Sequence, residues 1–296
     1  MSIVGSNVMN VFFDTYLKII VNKYYSSFQN LNEGDAGTRY KSWEYCHQFF
    51  LHNKGKFKDG VSVNTEDLTS EQKSIRDLMA LHLGFYLASW GMYRGSCFLL
   101  NRDYKAHLKV VDIVLEPKYE SLWNFNPTDE KSIDSVCKLL FGDPYRQSDY
   151  KNDRGIYWRI KEDAYRPISI QNCNLSLSHN SSSSNSVPTD TLVTKILLGT
   201  FACIPAFDRF FIKGIKIYNN NLPKDENLFT NLESNPHGTF KAISKFVLNH
   251  SDSINSLIND DNFEGMKDYP VMKIVDMYFW QKGYDYDKLH PKDCEN

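Results

Sequence analysis

Residues 69–92 read TSEQKSIRDLMALHLGFYLASWGM, and this stretch decides the fold class of the chain. Thr69 or Ser70 is a good N-cap, and apolar side chains then recur every three or four residues, which is the period of an α-helix. The second half is apolar on every side, which predicts a helix at the centre of a hydrophobic core. Gly91 or Gly95 is expected to end this helix.

The same period recurs in shorter stretches along the rest of the chain. We predict further helices at 8–28, 40–51, 104–115, 128–141, 190–203, 207–218, 239–248, 252–258 and 269–282. Thr128 and Asp190 are expected to be N-caps, and Gly283 is expected to be a C-terminal stop. Segment 104–115 is rich in β-branched residues, so a strand is its alternative. The chain is therefore predicted to be an all-α or mainly α multi-helix globular protein.

A low-complexity tract divides the predicted helices into two groups. Residues 172–186 read NCNLSLSHNSSSSNS, and such a polar run buries too little apolar surface to offset the entropy of ordering it. We predict an N-terminal helical lobe at 1–171, a flexible Asn/Ser-rich loop at 172–188 and a C-terminal helical lobe at 189–296, with the two lobes packed together.

Composition excludes several classes of protein. Hydrophobic residues make up 42% of the chain, which is enough to build a large core and excludes global disorder. With 34 basic and 36 acidic residues the net charge is -2, so the molecule as a whole has no field that attracts phosphate backbones or anionic membranes. No membrane span is predicted. Because Asp14 interrupts the first apolar stretch and no basic leader precedes it, we expect a cytoplasmic protein.

Local catalytic and metal-binding motifs are absent from the sequence. It contains no GxxxxGK[ST], GxGxxG or GxSxG, and its 8 histidines form no HExxH motif. The 6 cysteines show no CxxC spacing, and we expect no disulfide bond. We therefore predict neither cofactor nor metal, and whether the chain is an enzyme stays open.

Two arginines follow the apolar helix. Arg94 and Arg102 flank the segment 95–100, where they would suit an anion or phosphate contact at a helix junction. The alternative is that they pair with Asp103 or with helix carbonyls.

A carboxylate interrupts the most apolar stretch of the second half. Residues 191–216 read TLVTKILLGTFACIPAFDRFFIKGIK, with Asp208 and Arg209 between long apolar runs. An unpaired buried charge is costly, so Asp208 must be hydrogen-bonded, paired or functional. The structural interpretation is that Asp208 caps the second helix of this pair.

The functional interpretation of Asp208 rests on a resemblance. The run Pro205-Ala-Phe-Asp208-Arg-Phe-Phe211 resembles the Pro-x-x-Asp pattern that follows the hairpin of helix-hairpin-helix DNA glycosylases. This resemblance covers about a tenth of the chain and implies a base-excision role for Asp208. The segment differs from that family in having no Gly-x-Gly before Pro205 and no four-cysteine signature after it.

Two functions therefore remain open. In the first, the chain is a scaffold or interaction module that binds a protein partner. In the second, it binds or processes nucleic acid, with Asp208 catalytic and Lys195, Arg209, Lys213 and Lys216 as phosphate contacts. Convergence of these side chains in an open cleft would favour the second.

Overall fold

The structure is a computed structural model that describes residues 16–26, 39–57, 65–94, 98–143, 154–169, 188–222, 229, 235–260 and 266–290. Within these ranges every regular element is a helix and no strand occurs, so the predicted mainly α fold is confirmed. The α-helices are α1 (16–26), α2 (Lys41–Asn53), α3 (Ser70–Ser89), α4 (Leu108–Val114), α5 (Glu130–Phe141), α6 (156–169, with a π-helical turn over Arg159–Tyr165), α7 (Asp190–Thr200), α8 (Arg209–Asn220), α9 (Pro236–Asn249), α10 (Ser251–Ile258) and α11 (Val271–Leu289). Short 3₁₀ turns lie at Lys54–Phe57, Thr65–Asp67, Tyr104–His107 and Pro117–Leu122.

The ends of α3 follow the predicted signals. The Thr69 hydroxyl accepts a hydrogen bond from the backbone N–H of Gln72 at 3.2 Å, and the Gln72 side chain accepts one from the backbone N–H of Thr69 at 3.0 Å. This reciprocal capping box satisfies two N–H groups that the first turn leaves without helical partners. Gly91 follows the helix with a φ of +76°, a backbone conformation that glycine adopts without strain.

At two other helices the cap lies one residue away from the predicted position. Asp129 rather than Thr128 caps α5, because its carboxylate accepts a hydrogen bond from the backbone N–H of Ser132 at 2.7 Å. Thr189 rather than Asp190 caps α7, since its hydroxyl accepts from the backbone N–H of the helix's third residue at 3.2 Å. Neighbouring residues that both suit a cap are hard to rank from sequence alone.

The chain forms two compact units that are interleaved along the sequence. The terminal unit comprises Met1–Thr38, Asn124–Asp134 and Cys203–Asn296, and the central unit comprises Arg39–Trp123 and Ser135–Ala202. This division differs from the predicted lobes at 1–171 and 189–296, because α7 packs on α2 and α3 and so belongs to the central unit. Most of the Asn/Ser-rich segment 172–188, from 172 to 187, lies outside the described residues, so its flexibility stays a prediction.

The core of the central unit forms where α7 meets α2. Every residue of Leu192–Thr200 is buried. The Trp43 indole N–H donates to the carbonyl of Leu198 at 2.9 Å, and Nδ1 of His47 lies 2.7 Å from the carbonyl oxygen of Thr200. Such bonds satisfy polar groups that burial would otherwise leave without water.

The core of the terminal unit forms between α8 and α11. The backbones of the two helices meet at Gly214, where an added Cβ would lie 1.9 Å from the carbonyl oxygen of Phe279, and at Gly283, where it would lie 2.0 Å from that of Phe210. Gly283 is therefore an interior residue of α11, and the prediction that it ends the helix is wrong. Its physical role is to allow close helix packing.

The prediction that the second half of α3 is buried on every side is also wrong. Leu83 and Leu87 are fully buried, but the side chains of Leu78, Leu81 and Phe85 are 40%, 45% and 55% exposed. The helix therefore has one buried face and one apolar face at the protein surface.

Candidate functional site

Asp208 is the N-cap of α8. One oxygen of its carboxylate accepts hydrogen bonds from the backbone N–H groups of Phe210 and Phe211, at 3.1 and 3.0 Å. These are donors that the first turn of a helix leaves without helical partners, and the helix N-terminus also favours negative charge. The geometry is therefore that of the structural interpretation, and the catalytic role stays a prediction.

Two of the predicted phosphate contacts are brought together on α8, beside a carboxylate of α11. Arg209 Nη2 lies 3.5 Å from Oδ2 of Asp287, and Lys213 forms an ion pair with the other oxygen of the same carboxylate. Asp287 is only 11% exposed, whereas Arg209 is 69% exposed. Lys216 lies on the same helix and is exposed. Asp287 offsets part of the positive charge that a nucleic-acid contact would use.

The other predicted contacts belong to the central unit. Lys195 is 3% exposed, and its ammonium lies over the ring of Trp90, 4.8 Å from the ring centroid. Its position is that of a core residue stabilised by a cation–π interaction. Arg94 is exposed, and its side chain lies against Gly91, 3.5 Å from the position that an added Cβ would take. Arg102 is half-buried. The structure therefore does not place Lys195, Arg94 and Arg102 in one unit with Asp208 and the cations of α8.

Replacement of Asp208 tests its capping role. Asp208→Ala should lower the free energy of unfolding by about 1 kcal/mol, because two N–H groups lose their acceptor. Asp208→Asn should cost less, since asparagine is an equally good cap. Chemical denaturation of both variants beside the parent measures these differences. Equal losses for Asn and Ala would contradict the capping role.

Sequence reasoning missed a buried histidine between two tyrosines in the central unit. His107 is fully buried, with its Nδ1 2.6 Å from the hydroxyl of Tyr165 and its Nε2 2.5 Å from the hydroxyl of Tyr93. Burial lowers the pKa of His107 to about 3, so the ring is neutral at pH 7. One ring nitrogen then donates and the other accepts, so one tyrosine hydroxyl accepts a hydrogen bond from the ring and the other donates one to it. No local motif surrounds His107, and only the fold brings the two tyrosines to it.

The stability of the protein should fall in mild acid because of His107. Its pKa is about 3 in the folded protein and close to 6.5 in the unfolded chain, so only the unfolded chain takes up the proton between these values. Each pH unit below 6.5 then costs about 1.4 kcal/mol, or about 2 kcal/mol at pH 5. Thermal or urea unfolding of the parent and of His107→Gln between pH 5 and 7 measures this. The variant should show a shallower slope, and His52→Gln, which replaces an exposed histidine, should keep the slope of the parent.

The exposed apolar face of α3 is the main candidate surface of the central unit. Its members are Ser74, Leu78, Leu81, Phe85 and Ala88, all exposed and spaced alternately by four and three residues. We call these five residues the α3 seam. Alternating spacings of three and four are those of the a and d positions at which two helices pack in a coiled coil.

Aromatic residues of α2 widen this surface. Tyr45 is 52% exposed, and the ring of Phe49 stacks on that of His82, beside the seam, with centroids 4.1 Å apart. Burial lowers the pKa of His82, although a hydrogen bond with the Tyr45 backbone acts in the opposite direction. A neutral His82 keeps the surface next to the seam uncharged at pH 7. Contiguous apolar surface of this kind is typical of an interaction site.

Comparisons with known proteins give no family to which the chain can be assigned: no family model, curated protein or solved structure matches it. In the part of the chain that the structure describes, no helix is both long and apolar enough to cross a lipid bilayer. The same residues include no cluster of three or more His, Cys, Asp or Glu side chains placed to hold a metal ion. Function must therefore be inferred from the surfaces themselves.

Proposed function

We propose that this chain is a cytosolic helical interaction module that binds through the α3 seam. The observation that carries the proposal is the exposure of Leu78, Leu81 and Phe85 on one face of a helix whose opposite face is core. Large apolar side chains that recur in register along an exposed helix face are favourable contacts only when a partner covers them.

The spacing of the α3 seam favours an α-helix as the partner. Side chains at alternating intervals of three and four residues present knobs that fit the holes of a second helix crossing at a shallow angle. A strand or a flat surface would not match this period. The exposed part of the seam runs from Ser74 to Ala88, which is about 20 Å at the rise of an α-helix.

The partner we propose is α3 of a second copy of this chain, lying antiparallel. An antiparallel two-fold arrangement centred between Leu81 and His82 sets Leu78 of one copy against Phe85 of the other, so that the seam is complementary to itself. Ionic groups at the ends of α3 also match. The same arrangement brings Glu71, which is in the first turn and paired with Lys56, close to Arg94 of the other copy, and the side chains of Glu71 and Arg94 are exposed.

Sedimentation velocity over a range of concentrations tests this function. The parent should shift from monomer to dimer with increasing concentration, and Leu81→Glu should remain monomeric, because pairing would bury a charge at the centre of the seam. Leu289→Glu is the matched control: it replaces a leucine that is 77% exposed on α11, and it should dimerise like the parent. A parent that stays monomeric, or equal weakening by both substitutions, would overturn the proposal.

A further inference from the structure

A pocket of the central unit has an aromatic wall and two carboxylates. Its volume is about 430 Å³, which lies within the range of small-molecule sites. It lies between the 3₁₀ turn that follows α2 and the chain from the end of α4 through the next 3₁₀ turn. Its lining includes Lys54, Phe57, Glu116, Pro117, Glu120 and Trp123. All of its lining residues come from two short chain segments, 54–57 and 114–123.

A side chain of the protein already places a cation in this pocket. The ammonium of Lys54 forms an ion pair with Glu120 and lies 5.3 Å from the centroid of the Trp123 ring. The Trp123 ring is supported by Phe201, a buried residue whose ring centroid is 4.5 Å away. The pocket therefore offers an ammonium group the electron-rich face of a fixed indole and the charge of a carboxylate.

The second carboxylate of the pocket is fixed by other residues. Glu116 forms an ion pair with Arg159, and its carboxylate lies 3.2 Å from Lys118 Nζ. Burial alone would raise the pKa of Glu116, but the hydrogen bonds and charges of Arg159 and Lys118 outweigh it and hold that pKa below its ordinary value. Glu116 is thus ionised at neutral pH, but Arg159 and Lys118 offset its charge, so Glu120 is the carboxylate that a bound cation would meet.

We propose that this pocket binds a small organic cation, such as an alkylated ammonium group, in the place that Lys54 occupies in the structure. Lys54 has a flexible stem and its partner Glu120 is 67% exposed, so the lysine can swing into solvent when the ligand enters. The ligand's charge then lies on Trp123 and beside Glu120, while Phe57 and Pro117 contact its carbon atoms. This proposal is independent of the α3 seam.

Removal of Lys54 should have opposite effects on ligand binding at a cation site and at an anion site. If Lys54 were the binding group for an anion, its removal would abolish binding. If it competes with a cation, its removal should strengthen binding about 3- to 10-fold, which corresponds to the loss of a competing contact worth about 1 kcal/mol.

Titration of the full chain with tetramethylammonium chloride, followed by the NMR signals of the indole N–H groups, tests the proposal. The Trp123 signal is the one missing from Trp123→Phe. We expect this signal to shift with saturation in the parent, with a lower dissociation constant in Lys54→Ala and a higher one in Glu120→Gln. Sodium acetate at the same ionic strength should leave the signal unchanged.

The central unit also provides a matched control. Lys161 forms an ion pair with Asp190 at 2.8 Å and lies 5.4 Å from the centroid of the Trp158 ring, but it does not line the pocket. Lys161→Ala should therefore bind tetramethylammonium like the parent. Unchanged or weaker binding in Lys54→Ala, a saturable shift with acetate, or no saturable shift with tetramethylammonium would overturn the proposal.

Discussion

Gly214→Ala is expected to lower the free energy of unfolding by about 3 kcal/mol or more. The new methyl group would lie 1.9 Å from the carbonyl oxygen of Phe279, a backbone atom of α11 that cannot turn aside as a side chain could. Either α8 and α11 move apart or the backbone distorts, and both lose packing. Helix propensity alone predicts the opposite sign, since alanine is about 1 kcal/mol better than glycine inside a helix. Urea denaturation measures which effect is larger.

Gly55 provides the control for this substitution. A Cβ added there would have no atom within 4 Å. Gly55→Ala should therefore leave stability within about 1 kcal/mol of the parent or raise it slightly, because the unfolded chain loses freedom. A Gly214→Ala variant as stable as Gly55→Ala would show that the two helices do not meet as closely as described.

Asp276→Leu is expected to cost about 3 to 5 kcal/mol. Asp276 is 4% exposed, and it accepts hydrogen bonds from the backbone N–H of Ala206 at 3.0 Å and from Lys273 Nζ at 3.0 Å. Lys273 is 2% exposed and also donates to the hydroxyl of Tyr24 at 3.2 Å. Loss of the carboxylate leaves the ammonium of Lys273 buried without its counter-charge. Removing one partner of a buried ion pair lowers the free energy of unfolding more than replacing both partners does.

The cost should be recovered in part when both charges are removed. Lys273→Met combined with Asp276→Leu should be more stable than Asp276→Leu alone, because no uncompensated charge remains in the core. Asp134→Asn, which breaks the exposed pair with Lys241, should change stability by less than about 1 kcal/mol. If the double variant is no more stable than Asp276→Leu alone, the destabilisation comes from the lost hydrogen bond with the backbone N–H of Ala206 instead.

The parts of the fold that could be predicted from sequence are those that depend on near neighbours. The start of α3 at Thr69 and the break after it at Gly91 follow from hydrogen bonds and backbone angles within a few residues. Gly283 shows the limit of prediction from near neighbours in the sequence. A glycine near the end of an apolar pattern also suits a helix stop, and its contact is with Phe210, which is 73 positions earlier in the chain.

The candidate surface could not be predicted for a related reason. When a helix is apolar on all sides, its period does not say which side the core will cover, so the exposure of Leu81 and Phe85 depends on where α2, α4 and α7 pack. The same holds for Lys195, a candidate phosphate contact because it is near Asp208 in the sequence, whereas the fold places its ammonium over Trp90. Capping by Asp208 was predictable because it is local.

Disulfide trapping between singly substituted chains tests the central claim, the antiparallel pairing of the α3 seam, most directly. Chains with Leu78→Cys and chains with Phe85→Cys are mixed and mildly oxidised. We predict mixed disulfides between them, because the proposed arrangement sets these positions against each other. Little dimer should form within either population, since identical positions would lie about 10 Å apart along the helices, too far for a disulfide. The parent, which has 6 cysteines, of which Cys46, Cys137 and Cys203 are buried, and Leu289→Cys give the background. Mixed cross-links no more abundant than this background would contradict the account.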